Sequence, residues 1–233
     1  MSEARAQIHA PKERGFFITL EGGEGVGKST QTGHLLRNLR KAGIEAIGTR
    51  EPGGSPGAEI LRKVLLSGGM ARLGPAAEAI LFAAARVDHI DKTIEPALVA
   101  GTFVVCDRFA DSTRAYQGTR GQLDPRFLRA LERVTLGDVR PGLTLILDLP
   151  ASEGLARAAA RRGAGEAADR FERENLEYHE SLRAAFLAIA AAEPVRCVVI
   201  DAAREEEDVA HAIFDVILSR LIAPAQAKQV KRG

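Results

Sequence analysis

Five short apolar runs punctuate the chain, at Phe16–Leu20, Glu45–Thr49, Thr102–Cys106, Leu143–Leu147 and Arg196–Ile200, rich in β-branched or aromatic residues. Each reads as a strand. Between them, apolar residues recur three and four positions apart over Ser29–Ala42, Ala58–Leu66, Ala76–Ala100, Pro125–Leu136, Ser152–Ala160, Glu174–Ala191 and Glu205–Leu221, the period of an amphipathic helix. Near-continuous apolar strands alternating with helices predict a parallel sheet covered on both faces, because a parallel pair needs a long crossover and the helices supply it. The expected fold is α/β, with three layers (α/β/α) around a five-stranded parallel sheet. Ligands of such a sheet bind beyond the carboxyl ends of the strands. The chemically distinctive segments fall there: Gly22–Ser29, Arg50–Gly54, Asp107–Arg108 and Asp148.

A chain of 233 residues, 45% of them hydrophobic, is long enough to bury one full core, so a single domain over residues 15–222 is expected. Residues 1–14 and 223–233 read as flexible termini. The Ala/Arg/Gly-rich stretch at about 156–170 reads as a mobile lid. With 32 basic and 31 acidic residues, no overall field draws the chain to nucleic acid or to an anionic membrane. No run approaches the ~20 apolar residues of a membrane span, and the N-terminus lacks the apolar core of a signal peptide. A cytoplasmic location is expected. Cys106 and Cys197, the only cysteines, sit within apolar strand runs and read as buried thiols rather than zinc ligands or a disulfide.

Gly22-Gly23-Glu24-Gly25-Val26-Gly27-Lys28-Ser29 fits the spacing G-x-x-x-x-G-K-[ST] between a strand and a helix. Glycines in this setting let successive amide N–H groups converge on one anion, and the helix N-terminus adds its dipole. Lys28 reaches the outer phosphates, Ser29 offers a hydroxyl to Mg2+, and Thr30 completes the start of the helix. ATP binding through this P-loop is the expectation. No Asn-Lys-x-Asp segment follows the late strands, which argues against a guanine-nucleotide switch. In Cys106-Asp107-Arg108 an arginine directly follows a strand-end carboxylate, which favours a kinase over an ATP-driven motor.

Several segments together resemble the thymidylate kinase (dTMP kinase) family, bacterial type, among the nucleoside monophosphate kinases. They are Glu21-Gly22 through Thr30, Thr49-Arg50-Glu51-Pro52-Gly53-Gly54, Leu81-Phe82-Ala83-Ala84-Ala85-Arg86, Asp107-Arg108-Phe109 with Ser112–Gly118, and Asp169-Arg170-Phe171-Glu172. The resemblance implies an enzyme that transfers the γ-phosphate of ATP to dTMP. It implies that Arg50 and Arg108 grip the acceptor phosphate, that Asp107 serves Mg2+, and that Glu24 contacts the 3′-hydroxyl of the acceptor sugar. Phe82 would then stack on thymine and Arg86 meet its carbonyl edge, with Ser112, Tyr116 and Gln117 closing the sugar and base pocket. A homodimer formed by packing helices is also implied, with Ala76–Ala85 a candidate surface. Relatives often carry Tyr or His where this chain has Phe109.

The bacterial type takes its last cation from the lid, where Arg157, Arg161 and Arg162 are the candidates and the latter two adjoin Gly163. Asp148 reads equally as a supporting or a structural acid. The adenine site is expected near Asp201–Arg204. Two rivals stay open on the residues alone: a kinase of another nucleotide or small acceptor, and a non-kinase P-loop ATPase switch.

Overall fold

The computed structural model describes residues 13–67, 73–121, 123–162 and 171–222. The segments read as loose termini, up to residue 12 and from 223, and the core of the lid, 163–170 with its Asp169-Arg170 pair, lie outside the described residues.

Strands β1 (Phe17–Glu21), β2 (Ala46–Arg50), β3 (Phe103–Asp107), β4 (Leu143–Asp148) and β5 (Cys197–Asp201) form a five-stranded sheet in the order β2-β3-β1-β4-β5, with every pairing parallel. Each strand runs one residue further than its apolar core. The added residues are Glu21, Arg50, Asp107, Asp148 and Asp201, so all five strand tips carry a charge at one edge of the sheet. Register places Arg50 beside Asp107, and Asp107 beside Leu20, the residue before Glu21.

Alternate side chains of each strand point to opposite faces. On one face Ile18, Leu20, Val105 and Leu145 pack with Leu35 and Leu39 of α1 (Lys28–Lys41) and with Val209 and Ile213 of α9 (Glu206–Ile217). On the other, Phe17, Val104 and Cys106 meet Ile90, Ile94 and Leu98. Ile146 and Cys197 meet Leu182 and Phe186 of α8 (Leu176–Ala192). Helices α2 (Pro56–Leu66), α6 (Pro125–Leu136) and α7 (Ala151–Arg162) complete the layers.

Two elements differ from the periodicity reading. The stretch Ala76–Ala100 is α3 (Gly74–His89), then a π turn (Ile90–Ile94), then α4 (Glu95–Val99). Pro96 has no N–H to continue an α-helical ladder, and Glu95 N–H instead reaches back to Ile90 O. The second difference is α5 (Ala110–Gly121), which the apolar pattern does not announce. Asp111, Ser112, Thr113 and Gly118 are weak helix formers, so tertiary contacts stabilise this helix.

Among the described residues, no helix is long and apolar enough to cross a membrane. Inside the sheet, a buried polar link joins β1 to β4: Thr19 Oγ1 lies 2.8 Å from Thr144 Oγ1, which also accepts from Arg196 Nη1 at 2.6 Å. Thr144→Val leaves the Thr19 hydroxyl without this partner and removes one bond of Arg196 Nη1, which keeps Asp111 Oδ2 at 2.7 Å, and is expected to cost about 1–3 kcal/mol in urea unfolding. Thr19→Val leaves the Arg196 bond intact and is expected to cost less; equal losses would contradict this link.

Candidate active site

The chain leaves β1 through Gly22–Gly27 and enters α1 at Lys28. Gly25 adopts φ 68°, and a Cβ there would lie 1.8 Å from Gly154 O. A Cβ on Gly154 would in turn lie 2.3 Å from Glu24 O, so the tip of the loop seats directly on the first turn of α7. Lys28 is buried, and its ammonium donates to Gly22 O and Gly23 O at 3.1 and 2.6 Å. Burial lowers its pKa to about 8; Arg108 pushes the same way, against the carboxylates of Glu24, Asp107 and Glu21.

Arg108 follows β3 and takes φ 70°, the left-handed region that a side chain with a Cβ rarely adopts. That turn sends its guanidinium back across the loop. Nη1 donates to Gly22 O at 3.1 Å, Nη2 to Glu24 Oε1 at 2.8 Å, and the group lies 5.1 Å from the Tyr116 ring centroid. Burial opposes this cation, but Tyr116, Glu24, Asp107 and Glu21 hold it charged. Burial likewise opposes the Glu24 anion, and Arg108, Lys28 and the Tyr116 hydroxyl outweigh it, bringing the carboxyl down to about 2. Tyr116 Oη donates to the same Oε1 at 2.6 Å. Among the described residues Oε2 has no donor.

Ser29 Oγ donates to Asp107 Oδ2 at the mouth of the loop, bringing together the hydroxyl and carboxylate assigned to the metal. Arg50 stands at the tip of β2, half exposed, 3.4 Å from Glu59. Behind it Glu51 is buried and accepts from Arg86 Nε at 2.7 Å and His89 Nδ1 at 3.0 Å, while His89 Nε2 lies 2.6 Å from Thr49 Oγ1. Arg86 Nη2 donates to Phe109 O and Thr113 Oγ1 at 3.1 and 3.0 Å. Nη1 of Arg86 has no acceptor among the described residues. Phe109 is fully buried, edge-on to Phe17 at 4.8 Å and beneath Arg86.

These groups surround a cleft of about 310 Å³ at the strand tips. Glu24, Gly25, Gly27, Lys28, Ser29 and Thr30 form its floor, and Arg50, Asp107, Arg108 and Ser112 its middle. Phe82, Arg86, Tyr116 and Gln117 line the far wall, and Arg161 enters from α7. Gln117 is fixed by Nε2 donating to Glu78 Oε1 at 2.7 Å. Gly22, Gly23 and Val26 lie behind the loop instead, against a small cavity shared with His179. Arg162 closes α7, and its side chain lies outside the described residues. Arg157 turns away to Ala202 O at 2.9 Å, and Asp148 makes a two-pronged ion pair with Arg183 at 2.7 and 3.0 Å.

Sequence reasoning assigned no role to Glu21, Glu51, Arg62, Thr113 or Phe171. Arg62 Nη1 donates to Pro52 O at 2.6 Å, and Phe171 packs edge-on to Tyr116 at 5.3 Å. The available signals were Glu21 and Glu51, carboxylates at the ends of apolar strands, where a charge is costly without partners.

The thymidylate kinase family model matches residues 20–213. A thymidylate kinase of Bradyrhizobium diazoefficiens is 56% identical over 218 residues, 93% of this chain and 95% of the relative. That of Nitrobacter winogradskyi is 54% identical over 99% of this chain and all of its own length. The crystal structure of thymidylate kinase from Ehrlichia chaffeensis superposes with a TM-score of 0.71 at 31% identity, covering 88% of this chain and 99% of the other. A shared fold, a phosphate loop facing strand-tip arginines and identity at this level over nearly the whole length lead to one conclusion: the chain belongs to the thymidylate kinase family.

Proposed function

We propose that this protein transfers the γ-phosphoryl group of ATP to dTMP, giving dTDP and ADP on the route to dTTP. An oxygen of the dTMP phosphate attacks Pγ, the bond from Pγ to the bridging oxygen breaks, and ADP leaves with the electron pair. The acceptor oxygen is already anionic, so no general base is required. One observation carries the reading: Arg50 and Arg108 share a single cleft with the Gly25–Thr30 loop, which supports two phosphate-bearing nucleotides meeting head to head.

The loop amides and Lys28 hold the donor phosphates, while Arg50 and Arg108 hold the acceptor phosphate through charge-assisted, planar guanidinium contacts. Glu24, anchored by Arg108 and Tyr116 through one oxygen, offers the other to the 3′-hydroxyl. Phe82 stacks on the base, and the unused Nη1 of Arg86 faces its carbonyl edge. Ser112, Tyr116 and Gln117 close the pocket.

Mg2+ suits the donors present. Ser29 and Asp107 supply two hard oxygens beside the phosphate loop, and no cluster of three or more His, Cys, Asp or Glu exists among the described residues. Magnesium typically keeps phosphate and water ligands rather than a full protein cage. When bound, it neutralises charge on the transferred group. Arg161, with Arg162 beside it, brings further positive charge from the lid, and closure excludes water. Two buried free thiols, Cys106 and Cys197, suit a reducing cytoplasm. Exposed Ile60, Leu73 and Ile80 on α2 and the start of α3, at 65, 61 and 50% accessibility, support a homodimer through this face.

In an ADP-release assay against dTMP, dUMP, CMP, AMP and GMP, dTMP is expected to give the highest kcat/KM; acceptor-independent hydrolysis would refute a kinase. Lys28→Ala is expected to lower kcat about 100-fold or more. Arg50→Ala is expected to weaken dTMP binding by about 1.5–3 kcal/mol while leaving the KM for ATP nearly unchanged. Sedimentation is expected to show twice the chain mass, and Ile80→Glu to halve it.

A further inference from the structure

Glu21 is the last residue of β1 and completely buried, yet it touches neither the phosphate loop's anion-facing amides nor the cleft. Its carboxylate collects three donors from the segment after β3. Oε1 accepts Phe109 N–H at 2.7 Å and Ser112 N–H at 3.3 Å, and Oε2 accepts the Ser112 hydroxyl at 2.6 Å. Phe109 immediately precedes α5 and Ser112 lies in its first turn, where amides lack the usual α-helical carbonyl; Ser112 N–H also reaches Phe109 O at 3.2 Å. Arg108, the residue immediately before, holds the left-handed φ of 70°. Such a conformation persists only where the surroundings over-determine it. Here the chain is pinned on both sides of the strained residue: Arg108 N–H donates to Leu20 O at 2.9 Å, and Phe109 N–H to Glu21.

A buried carboxylate is costly unless partnered. Burial and the nearby Asp111 push this carboxyl up to about 7, while the Ser112 hydroxyl, Arg108 and the Phe109 amide pull it down. Lys28 and Cys106 also feel its charge. A raised carboxyl favours the folded state most at low pH and loses that contribution as pH rises through about 7, so ionised Glu21 is not a gain for stability. The three donors it gathers point to another role.

We infer that Glu21 is a positioning residue: by gathering the Phe109 and Ser112 amides from within the sheet, it locks the left-handed turn that aims the Arg108 guanidinium at the acceptor phosphate. The inference rests on the proposed role of Arg108. Glu21 itself contacts no substrate; besides the turn that carries Arg108, the cleft residue it holds directly is Ser112.

Calorimetric affinities for dTMP and for thymidine, which lacks the phosphate, test this in the full-length protein. In Glu21→Ala the preference for dTMP over thymidine is expected to fall about tenfold, the value of one charge-assisted hydrogen bond. The KM for ATP is expected to stay within about twofold, and thymidine affinity to fall less than dTMP affinity. Glu21→Gln is expected to recover most of the preference, because its amide oxygen can accept both backbone N–H groups while its NH2 donates to a reoriented Ser112 hydroxyl. An unchanged preference in Glu21→Ala overturns the inference, as does equal weakening of dTMP and thymidine or a failure of Glu21→Gln to recover. If Glu21→Ala does not fold, Glu21→Asp, which withdraws the carboxylate by one methylene, is read by the same ratio, and an unchanged ratio again overturns it. Arg108→Ala separates the two levels: if it too leaves the phosphate preference intact, the reading of Arg108 fails; if it abolishes the preference while Glu21→Ala does not, only the positioning role fails.

Discussion

The contact between Arg108 and Glu24 joins the two halves of the cleft. A guanidinium buried between a glycine loop and a strand tip requires anions at hydrogen-bonding distance, and Glu24 supplies the nearest, at 2.8 Å. Removing one member of such a pair typically costs about 3–5 kcal/mol, because the other charge is left buried and alone. The pair therefore fixes the loop to the β3–α5 junction. Tyr116 donates to the same carboxylate oxygen and so docks the middle of α5 onto the loop. The glycine loop and the β3–α5 junction are not separate modules; one carboxylate ties them together.

A second buried network performs the equivalent task behind the wall lined by Phe82 and Arg86. Glu51 binds Arg86 and His89, and His89 reaches Thr49, so β2, α3 and the start of α5 share one set of hydrogen bonds beneath the pocket wall. Pre-fixed polar groups lose little freedom when a ligand arrives, which favours binding. Arg86 is held by Nε and Nη2 from the protein side, so its presentation to the cleft is set by the fold.

The sheet was legible because its strands are mostly apolar, broken inside by Thr19, Thr49 and Thr144, and the charged final residue of each escaped the pattern. The loop at Gly22–Ser29 and the arginines at the strand tips were equally readable, since a phosphate site needs particular residue types at particular spacings. Helix α5 was not: its sequence is polar and weakly helical, and its first turn is satisfied by Glu21, a residue some ninety positions earlier in the chain. Glu51 escaped for the same reason. A carboxylate's function depends on which donors the fold brings to it, and no local periodicity encodes that. Arg157 and Arg161 lie one turn apart on α7 yet diverge, one to Ala202 O and the other to the cleft, a distinction that composition does not contain.

Gly154 lies inside α7, where replacing glycine by alanine ordinarily gains about 0.5–1 kcal/mol. Here the opposite holds, since the new methyl group would strike Glu24 O at 2.3 Å and lever the phosphate loop off its seat. The first turn of α7 and the glycine loop are thus packed as one unit. A stabilisation campaign guided by helix propensity would select this position and, in doing so, displace the loop.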